Sequence, residues 1–159
     1  MSSTTERSER AVACFMQGCN CAQAVSSVFA RDAGVPEEVV LRAATGFGGG
    51  VGHTGGACGA VSGAVLALGL LLGSTGPEGK EAKDRTYALT QEFIARFVRT
   101  HGTISCTGLL DCDLSTDEGL ARAREQGLAP TLCPRYVRDA VEILEEVLAS
   151  VTSVPPTTR

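Results

Sequence analysis

Apolar residues recur at helical spacing along most of the chain, and turn residues separate the periodic segments. Residues 6–17 hold the first segment, which stops at Gly18. The last segment is the clearest, with apolar positions three and four residues apart at Tyr136, Val137, Ala140, Val141, Leu144, Val147, Leu148 and Val151. No run alternates between apolar and polar residues as a half-buried strand does. The pattern predicts an all-α single domain over residues 1–153, a compact bundle of about six to eight helices, with a disordered tail at 154–159.

Several predicted helices begin at residues that favour helix N-termini. Asn20, Ser105 and Ser115 are predicted N-caps, because their side chains can accept a hydrogen bond from the first turn. Pro36 is predicted as the first residue of a helix that ends at Gly46. These residues fix where the loops end and where each new helix begins.

A glycine-rich loop at 46–59 precedes a strongly apolar helix predicted over 58–72. The longest apolar run, 64–72, is much shorter than the ~20 residues that span a membrane. We therefore expect a central buried helix and no membrane insertion. Because every face of this helix is apolar, we also expect a second subunit to cover part of it, giving a homodimer. A long helix follows the turn at 73–79 and ends near His101.

The charge balance narrows the classes of partner. The formal net charge is −4 with a pI near 5.2, and no basic stripe is present, so we expect no nucleic-acid binding. The polar N-terminus lacks the apolar stretch of a secretory signal. We therefore expect a cytoplasmic protein whose thiols stay reduced.

The most unusual feature of the composition is the number of cysteines. There are seven: Cys14, Cys19, Cys21, Cys58, Cys106, Cys112 and Cys133. In a reducing compartment such a set is more often metal-binding or catalytic than structural. The predicted helix boundaries place Cys21, Cys58, Cys106 and Cys133 each at a helix N-terminus. Cys133 would be an N-cap, with Pro134 as the first helical residue.

Cysteines at helix N-termini favour one kind of chemistry. The unpaired N–H groups and the partial positive charge there lower the pKa of a thiol, and the thiolate is the form that binds metal or attacks disulfides. If the four ends converge, they form a site for an iron–sulfur cluster held by four cysteines. Glycines near the loop would let the backbone approach such a cofactor closely, and we assign that role to Gly49, Gly50, Gly56 and Gly59.

Several spaced motifs occur together across roughly residues 8–150. They are Asn20-Cys21-Ala22-Gln23-Ala24, Gly46-Phe47-Gly48-Gly49-Gly50, Cys58-Gly59-Ala60-Val61-Ser62-Gly63, Cys106, and Cys133-Pro134-x-Tyr136-Val137. In this order they resemble the family of redox-active proteins labelled by its C…GCAxxG…C…C pattern. The label orders its middle motif Gly-Cys-Ala, whereas this chain has Cys-Gly-Ala. The resemblance implies four hallmark cysteines, at Cys21, Cys58, Cys106 and Cys133.

That family is similar to a domain of split-Soret cytochromes, which carry haem and an iron–sulfur centre. The chain has no Cys-x-x-Cys-His motif, so we expect no c-type haem. The first functional hypothesis is electron transfer or redox sensing through an iron–sulfur cluster, with an unknown redox partner protein. The second is a thiol–disulfide enzyme or persulfide carrier using the same cysteines. The third is a structural zinc site in an interaction module. Whether the chain is an enzyme stays open.

The sequence assigns no single role to Cys14, Cys19, Cys112 or His53. Cys14 lies outside the motifs, and Cys19 with Cys21 forms a Cys-x-Cys pair that could bind one metal. Cys112 either packs in the core or acts as an alternative ligand or resolving thiol. His53, in the glycine loop, is either solvated, a fifth ligand or a proton relay. The glycine run lacks the Lys-Ser/Thr of a P-loop, which argues against nucleotide binding.

Overall fold

Eight α-helices account for the regular structure of residues 3–152, which are the residues that the computed structural model describes. They are α1 (Thr4–Met16), α2 (Cys21–Ser27), α3 (Glu37–Ala44), α4 (Gly59–Leu72), α5 (Lys80–His101), α6 (Cys106–Leu110), α7 (Asp117–Glu125) and α8 (Leu128–Thr152). No strand occurs within that range, so the all-α prediction is confirmed. The predicted disordered tail, 154–159, lies outside the described residues.

Most predicted helix starts agree with the structure. Asn20 caps α2 and Ser105 caps α6, each through its side chain. The cap of α7 is Thr116, one residue after the predicted Ser115, and its side chain accepts from the N–H of Gly119. Pro36 is the N-cap residue of α3 and lies just outside the helix. The chain then makes a 3-10 turn, Thr45–Phe47, before the glycine loop.

The predicted start of the last helix at Cys133 is wrong. Helix α8 begins at Leu128, so Cys133 lies inside it and Pro134 is an interior proline. The reason is an earlier start signal: Pro130 occupies the first turn, where its missing N–H costs no hydrogen bond. Gly127 precedes the helix with φ +59°, and its carbonyl accepts from Thr131 at 3.2 Å. Three of the four hallmark cysteines therefore lie at helix N-termini, and Cys133 does not.

Helix α4 lies at the centre of the bundle. It packs on α2, α5 and α8, while α1 packs on α8 and α2. Close contact between α2 and α4 requires Gly63, because a Cβ there would stand 2.7 Å from the carbonyl oxygen of Ala22. Most of the apolar surface of α4 is thus covered by the same chain, and a half-buried strip remains at Val65 and Leu66. No described helix is long and apolar enough to cross a membrane.

The glycine loop contains a left-handed helical turn. Five consecutive residues, Gly49, Gly50, Val51, Gly52 and His53, have φ between 61° and 72°. Left-handed backbone costs an L-residue roughly 1–2 kcal/mol, and glycine at three of the five positions reduces that cost. After the turn, the N–H groups of Gly55 and Gly56 donate to the carbonyls of Gly49 and Gly50 at 3.1 and 2.9 Å. These bonds fold the loop back on itself just before α4.

Candidate functional site

A polar network at the start of α2 positions Cys21. The Asn20 side chain accepts from the N–H of Gln23 at 2.9 Å, and the Gln23 side chain accepts from the N–H of Asn20 at 2.9 Å. The Asn20 amide also donates to the carbonyl of Thr45 at 2.9 Å. Asn20 therefore ties the first residue of α2, Cys21, to the end of α3 and the start of the glycine loop.

Two backbone hydrogen bonds hold Cys58 and Cys106 side by side. The N–H of Cys58 donates to the carbonyl of Ile104 at 2.7 Å, and the N–H of Cys106 donates to the carbonyl of Gly56 at 2.6 Å. The two segments run antiparallel at this point. The folded-back loop and the start of α6 thereby bring cysteines from distant parts of the sequence to the N-termini of α4 and α6.

The structure brings the four hallmark cysteines together. The Cys21 side chain is hydrogen-bonded to both Cys58 and Cys133, so it lies between α4 and α8. Cys106 is close enough to Cys58 and Cys133 for their charges to raise its pKa. Cys58, Cys106 and Cys133 are buried, with 3%, 7% and 7% of their surface exposed, whereas Cys21 is half-buried. Four elements thus contribute thiols to one shielded site.

The thiols of this site differ in acidity. The hydrogen bond donated by Cys21 lowers the pKa of Cys58 against the opposing effect of burial. The backbone N–H groups of Ala60 and Val61, at the N-terminus of α4, face the sulfur and lower this pKa further, although the side chain makes no full capping hydrogen bond. The pKa of Cys21 is raised well above the usual range, mainly because its thiol is hydrogen-bonded to Cys133 and then to Cys58.

Cys106 is held in the protonated form. Burial, together with negative charge on Cys58 and Cys133, raises its pKa to about 12. The site therefore combines a thiol with a lowered pKa, Cys58, with a donor thiol, Cys21, and a third thiol, Cys106, that resists ionisation. Such a combination of a nucleophile and adjacent thiols is suited to disulfide exchange.

The four glycines assigned to cofactor binding lie against protein atoms. A Cβ on Gly50 would stand 2.7 Å from the Cβ of Cys106, and one on Gly59 would stand 3.0 Å from the Cβ of Cys21. For Gly56 the nearest atom would be the carbonyl oxygen of Gly50 at 3.1 Å, and for Gly49 it would be the His53 ring at 2.1 Å. These close approaches are to other parts of the loop and to the side chains of Cys21 and Cys106. Contact with a cofactor stays a prediction.

Tyr136 and His101 border the site; Tyr136 belongs to the motif that begins at Cys133, whereas His101 lies outside every motif. The Tyr136 hydroxyl donates to the carbonyl of Leu109 at 2.9 Å, and its pKa is raised first by burial and next by charge on Cys133. The His101 ring lies edge-on to Tyr136, with the ring centres 5.0 Å apart. Its side chain is buried, with Nε2 3.0 Å from an Asp139 oxygen, and burial lowers its pKa. His101, the last residue of α5, therefore contacts both Tyr136 and Asp139 on α8.

The remaining cysteines lie outside the contacts between the hallmark thiols. Cys14 and Cys19 form a disulfide with their Cα atoms 5.5 Å apart, so the structure does not use Cys19 with Cys21 as a chelating pair. Cys112 is buried, and its thiol donates to the carbonyl of Gly119 at 3.2 Å. The Arg122 guanidinium donates to the Cys112 sulfur at 3.5 Å. Packing with a local hydrogen bond accounts for Cys112.

His53 lies apart from the thiols. It is exposed, and with Arg124 it borders a cleft of about 400 Å³. The cleft is otherwise mostly apolar and is lined by Leu110, Leu114, Leu120, Ala123, Gly127, Ala129 and Pro130. Leu110 and Leu114 pack in the same buried cluster as Cys106 and Cys133. The cleft therefore adjoins the cysteine site from the side of α7.

The site has the donor atoms for a metal ion or an iron–sulfur cluster but not the geometry. Four thiols are the donors that an iron–sulfur cluster or structural zinc prefers. Within residues 3–152, however, no group of three or more His, Cys, Asp or Glu side chains is arranged to hold a metal ion. The four thiols are suitable donors for a metal ion or an iron–sulfur cluster, but their arrangement in the structure is not suitable for either.

Comparison with known families matches residues 19–147 to the family described as "Putative redox-active protein (C_GCAxxG_C_C)". The matched segment contains Cys21, Cys58, Cys106 and Cys133 and begins at Cys19. Neither the curated proteins nor the solved structures that were compared give a match to the chain.

Proposed function

Because the chain belongs to the C_GCAxxG_C_C family of redox-active proteins, we propose that it carries out thiol–disulfide exchange, with Cys58 as the nucleophile and Cys21 as the resolving thiol. The observation that carries this proposal is the hydrogen bond from Cys21 to Cys58, which joins a cysteine of lowered pKa to a neighbouring thiol. The backbone N–H groups of Ala60 and Val61, at the N-terminus of α4, also favour the anion of Cys58.

The exchange balances in two steps. The Cys58 thiolate attacks one sulfur of a substrate disulfide, the substrate S–S bond breaks, and one substrate thiolate leaves and takes up a proton. Cys21 then loses its proton and attacks the Cys58 sulfur, releasing the second substrate thiol and forming a Cys21–Cys58 disulfide. The substrate gains two electrons and two protons, and the protein dithiol loses them. The reverse sequence oxidises a substrate dithiol.

Two further residues support this chemistry by excluding water. Cys106, held protonated by burial, and the half-buried ring of Tyr136 close the site on the sides of α6 and α8. A buried disulfide so formed would be shielded from random exchange with bulky thiols, which favours a dedicated partner protein or a small substrate. Neither the partner nor the substrate is specified by these residues.

The test is disulfide mapping of protein purified without oxygen and treated with oxidised glutathione. We expect wild type to form a Cys21–Cys58 disulfide and the Cys21→Ser variant to accumulate a glutathione adduct on Cys58. Cys112→Ser is the matched control, because it also replaces a buried cysteine but one outside the hydrogen-bonded set. Unmodified Cys58 in both wild type and Cys21→Ser would overturn the proposal.

An iron–sulfur cluster on Cys21, Cys58, Cys106 and Cys133 is the second candidate, supported by the four thiols as donors and not by their arrangement. Electron transfer to a redox partner protein would then be the function, and zinc in the same place would make the site structural. Iron, zinc and acid-labile sulfide are measured in the same anaerobic preparation, with a visible spectrum. Brown protein with stoichiometric iron and sulfide favours the cluster, and colourless protein with stoichiometric zinc favours the third hypothesis.

We also infer a homodimer through the half-buried strip of α4. Val65 and Leu66 border an apolar groove of about 360 Å³ that Ile94 and Ile104 continue. Burying this groove against a second copy would remove apolar surface from water. Light scattering at micromolar concentration tests the inference. A monomeric mass, or a mass that Leu66→Glu leaves unchanged, would contradict it.

A further inference from the structure

The Cys14–Cys19 disulfide joins the last turn of α1 to the segment just before Cys21. Cys14 belongs to the last turn of α1, and Cys19 follows three residues after that helix ends. Both residues are half-buried, whereas Cys58 and its buried neighbours are almost completely covered. A molecule too large to enter the bundle can therefore reach this disulfide more easily than it can reach Cys58.

The chain itself places this disulfide next to Cys21. Cys19 and Cys21 are separated by one residue, so their Cα atoms cannot be more than about 7 Å apart. The side chains of Cys14, Cys19 and Cys21 all pack against the buried apolar cluster that contains Cys58. Cys21 is in turn hydrogen-bonded to Cys58. The partly exposed disulfide, the half-buried Cys21 and the buried Cys58 thus lie in one neighbourhood of the bundle.

From this juxtaposition we propose that Cys14 and Cys19 are a second redox-active pair, which relays disulfide bonds between external thiol or disulfide compounds and the Cys21–Cys58 pair. The proposal rests on the proposed exchange function of Cys21 and Cys58 and adds the route by which the buried pair is oxidised and reduced. The external compound is recognised as a thiol or disulfide by its reaction at an accessible S–S bond, and oxidised glutathione serves as the probe.

The internal transfer balances without any external oxidant. Cys21 passes its proton to the Cys58 sulfur and attacks the sulfur of Cys19, the Cys14–Cys19 bond breaks, and Cys14 leaves as a thiolate that takes a proton from water. Cys58 then loses its proton and attacks the Cys21 sulfur, and Cys19 leaves as a thiol. One disulfide is present before and after, two electrons have moved from the inner pair to the outer pair, and one proton has been taken from water because Cys58 begins as a thiolate. The reverse transfer reduces the inner pair.

The experiment starts from fully reduced protein and adds oxidised glutathione without oxygen. Samples are quenched with acid over time, alkylated and mapped by mass spectrometry. In wild type the Cys14–Cys19 disulfide should form before the Cys21–Cys58 disulfide. In a Cys14→Ser/Cys19→Ser double variant the Cys21–Cys58 disulfide should form at least tenfold more slowly. Cys112→Ser, which changes a buried cysteine away from both pairs, should match wild type.

The outcomes separate the relay from the function on which it rests. If Cys21–Cys58 forms first in wild type, or at equal rates in wild type and double variant, the relay is overturned and the proposed exchange function stands. If Cys21–Cys58 forms in neither protein, even with excess oxidant, both fall. The order of formation in wild type needs no substitution, so it decides the question even if the double variant folds poorly.

Discussion

The thiol of Cys21 donates a hydrogen bond to the sulfur of Cys58, across the contact between the N-termini of α2 and α4. The bond has opposite effects on its two partners, because it favours the thiolate of Cys58 and the protonated thiol of Cys21. Two chemically identical side chains are thereby made unequal by position alone.

The first prediction concerns the acidity of Cys58. Removing the donor in Cys21→Ala should raise the pKa of Cys58, so the pH midpoint of its alkylation by iodoacetamide should move to higher pH. A shift of one unit would lower the thiolate fraction about tenfold at pH values below the midpoint. The measurement is the rate of Cys58 modification against pH, followed by peptide mass. Cys112→Ala is the control, and an unshifted midpoint in Cys21→Ala would contradict the assigned hydrogen bond.

A second prediction follows from the raised pKa of Cys106. The folded state favours the protonated thiol of Cys106. The resulting contribution to the free energy of unfolding is fully present below the ordinary pKa of a thiol, about 8.5. It is lost as the pH rises toward about 12, where the folded-state thiol ionises. Wild type should therefore lose stability between these values more steeply than Cys106→Ala does. Urea unfolding at several alkaline pH values, with a phosphine reductant present, measures the difference. Parallel curves for the two proteins would refute it.

The glycine loop gives a third prediction, about stability. In Gly50→Ala the new Cβ would meet the Cys106 Cβ at 2.7 Å and the Gly56 nitrogen at 2.6 Å, at a residue with φ +72°. The strained backbone alone costs roughly 1–2 kcal/mol, and the clash adds to it. Gly46→Ala, in the same loop, has no neighbour within 4 Å and no left-handed backbone. Thermal unfolding should show a Tm for Gly50→Ala at least ~4 °C below that of Gly46→Ala. Equal melting temperatures would be inconsistent with the structure.

A fourth prediction links helix capping to the reactivity of Cys21. Asn20→Ala removes the cap of α2 and the tie to Thr45, and should cost about 1 kcal/mol, within a range of ~0.5–2. The frayed first turn should also expose Cys21 and increase its rate of alkylation. Thr116→Ala removes the cap of α7 at a similar cost and should leave Cys21 unchanged. Faster labelling of Cys21 in both variants would show that general destabilisation, rather than local fraying, is responsible.

The helical architecture was predictable because helix starts and stops depend on neighbouring residues. Asn20 and Ser105 cap the helices that the sequence predicted, and Cys58 is the N-cap residue of α4. The prediction failed at Cys133, where a Cys-Pro step resembled a helix start although Pro130, three residues earlier, already occupied the first turn. Pro130 and Pro134 each signal a helix start, and they lie about one turn apart. The sequence does not show which of them begins the helix, because that depends on the tertiary contacts of this segment.

The cysteines of the candidate site could be predicted from the sequence, but the hydrogen bonds and the disulfide between cysteines could not. Motif spacing selected Cys21, Cys58, Cys106 and Cys133, and these four do converge. Nothing in the spacing indicates that Cys21 donates to Cys58, because that depends on how closely α2 approaches α4. The Cys14–Cys19 disulfide was also missed. Its only sequence signal was a separation of five residues across the Gly18 turn, and the expectation of reduced thiols drew attention away from it.

The distribution of the cysteines along the chain affects how the protein is made. Cys14 and Cys19 lie only five residues apart near the N-terminus, whereas the inner site requires Cys133 from the last helix. At a ribosomal rate of ~5–20 residues per second, Cys133 is synthesised roughly 6–22 s after Cys21. Throughout that interval the thiol of Cys21, joined in turn by those of Cys58 and Cys106, lacks its final shield, while the outer pair can already close locally. Early closure would leave fewer free thiols beside Cys21 to form a wrong bond during translation.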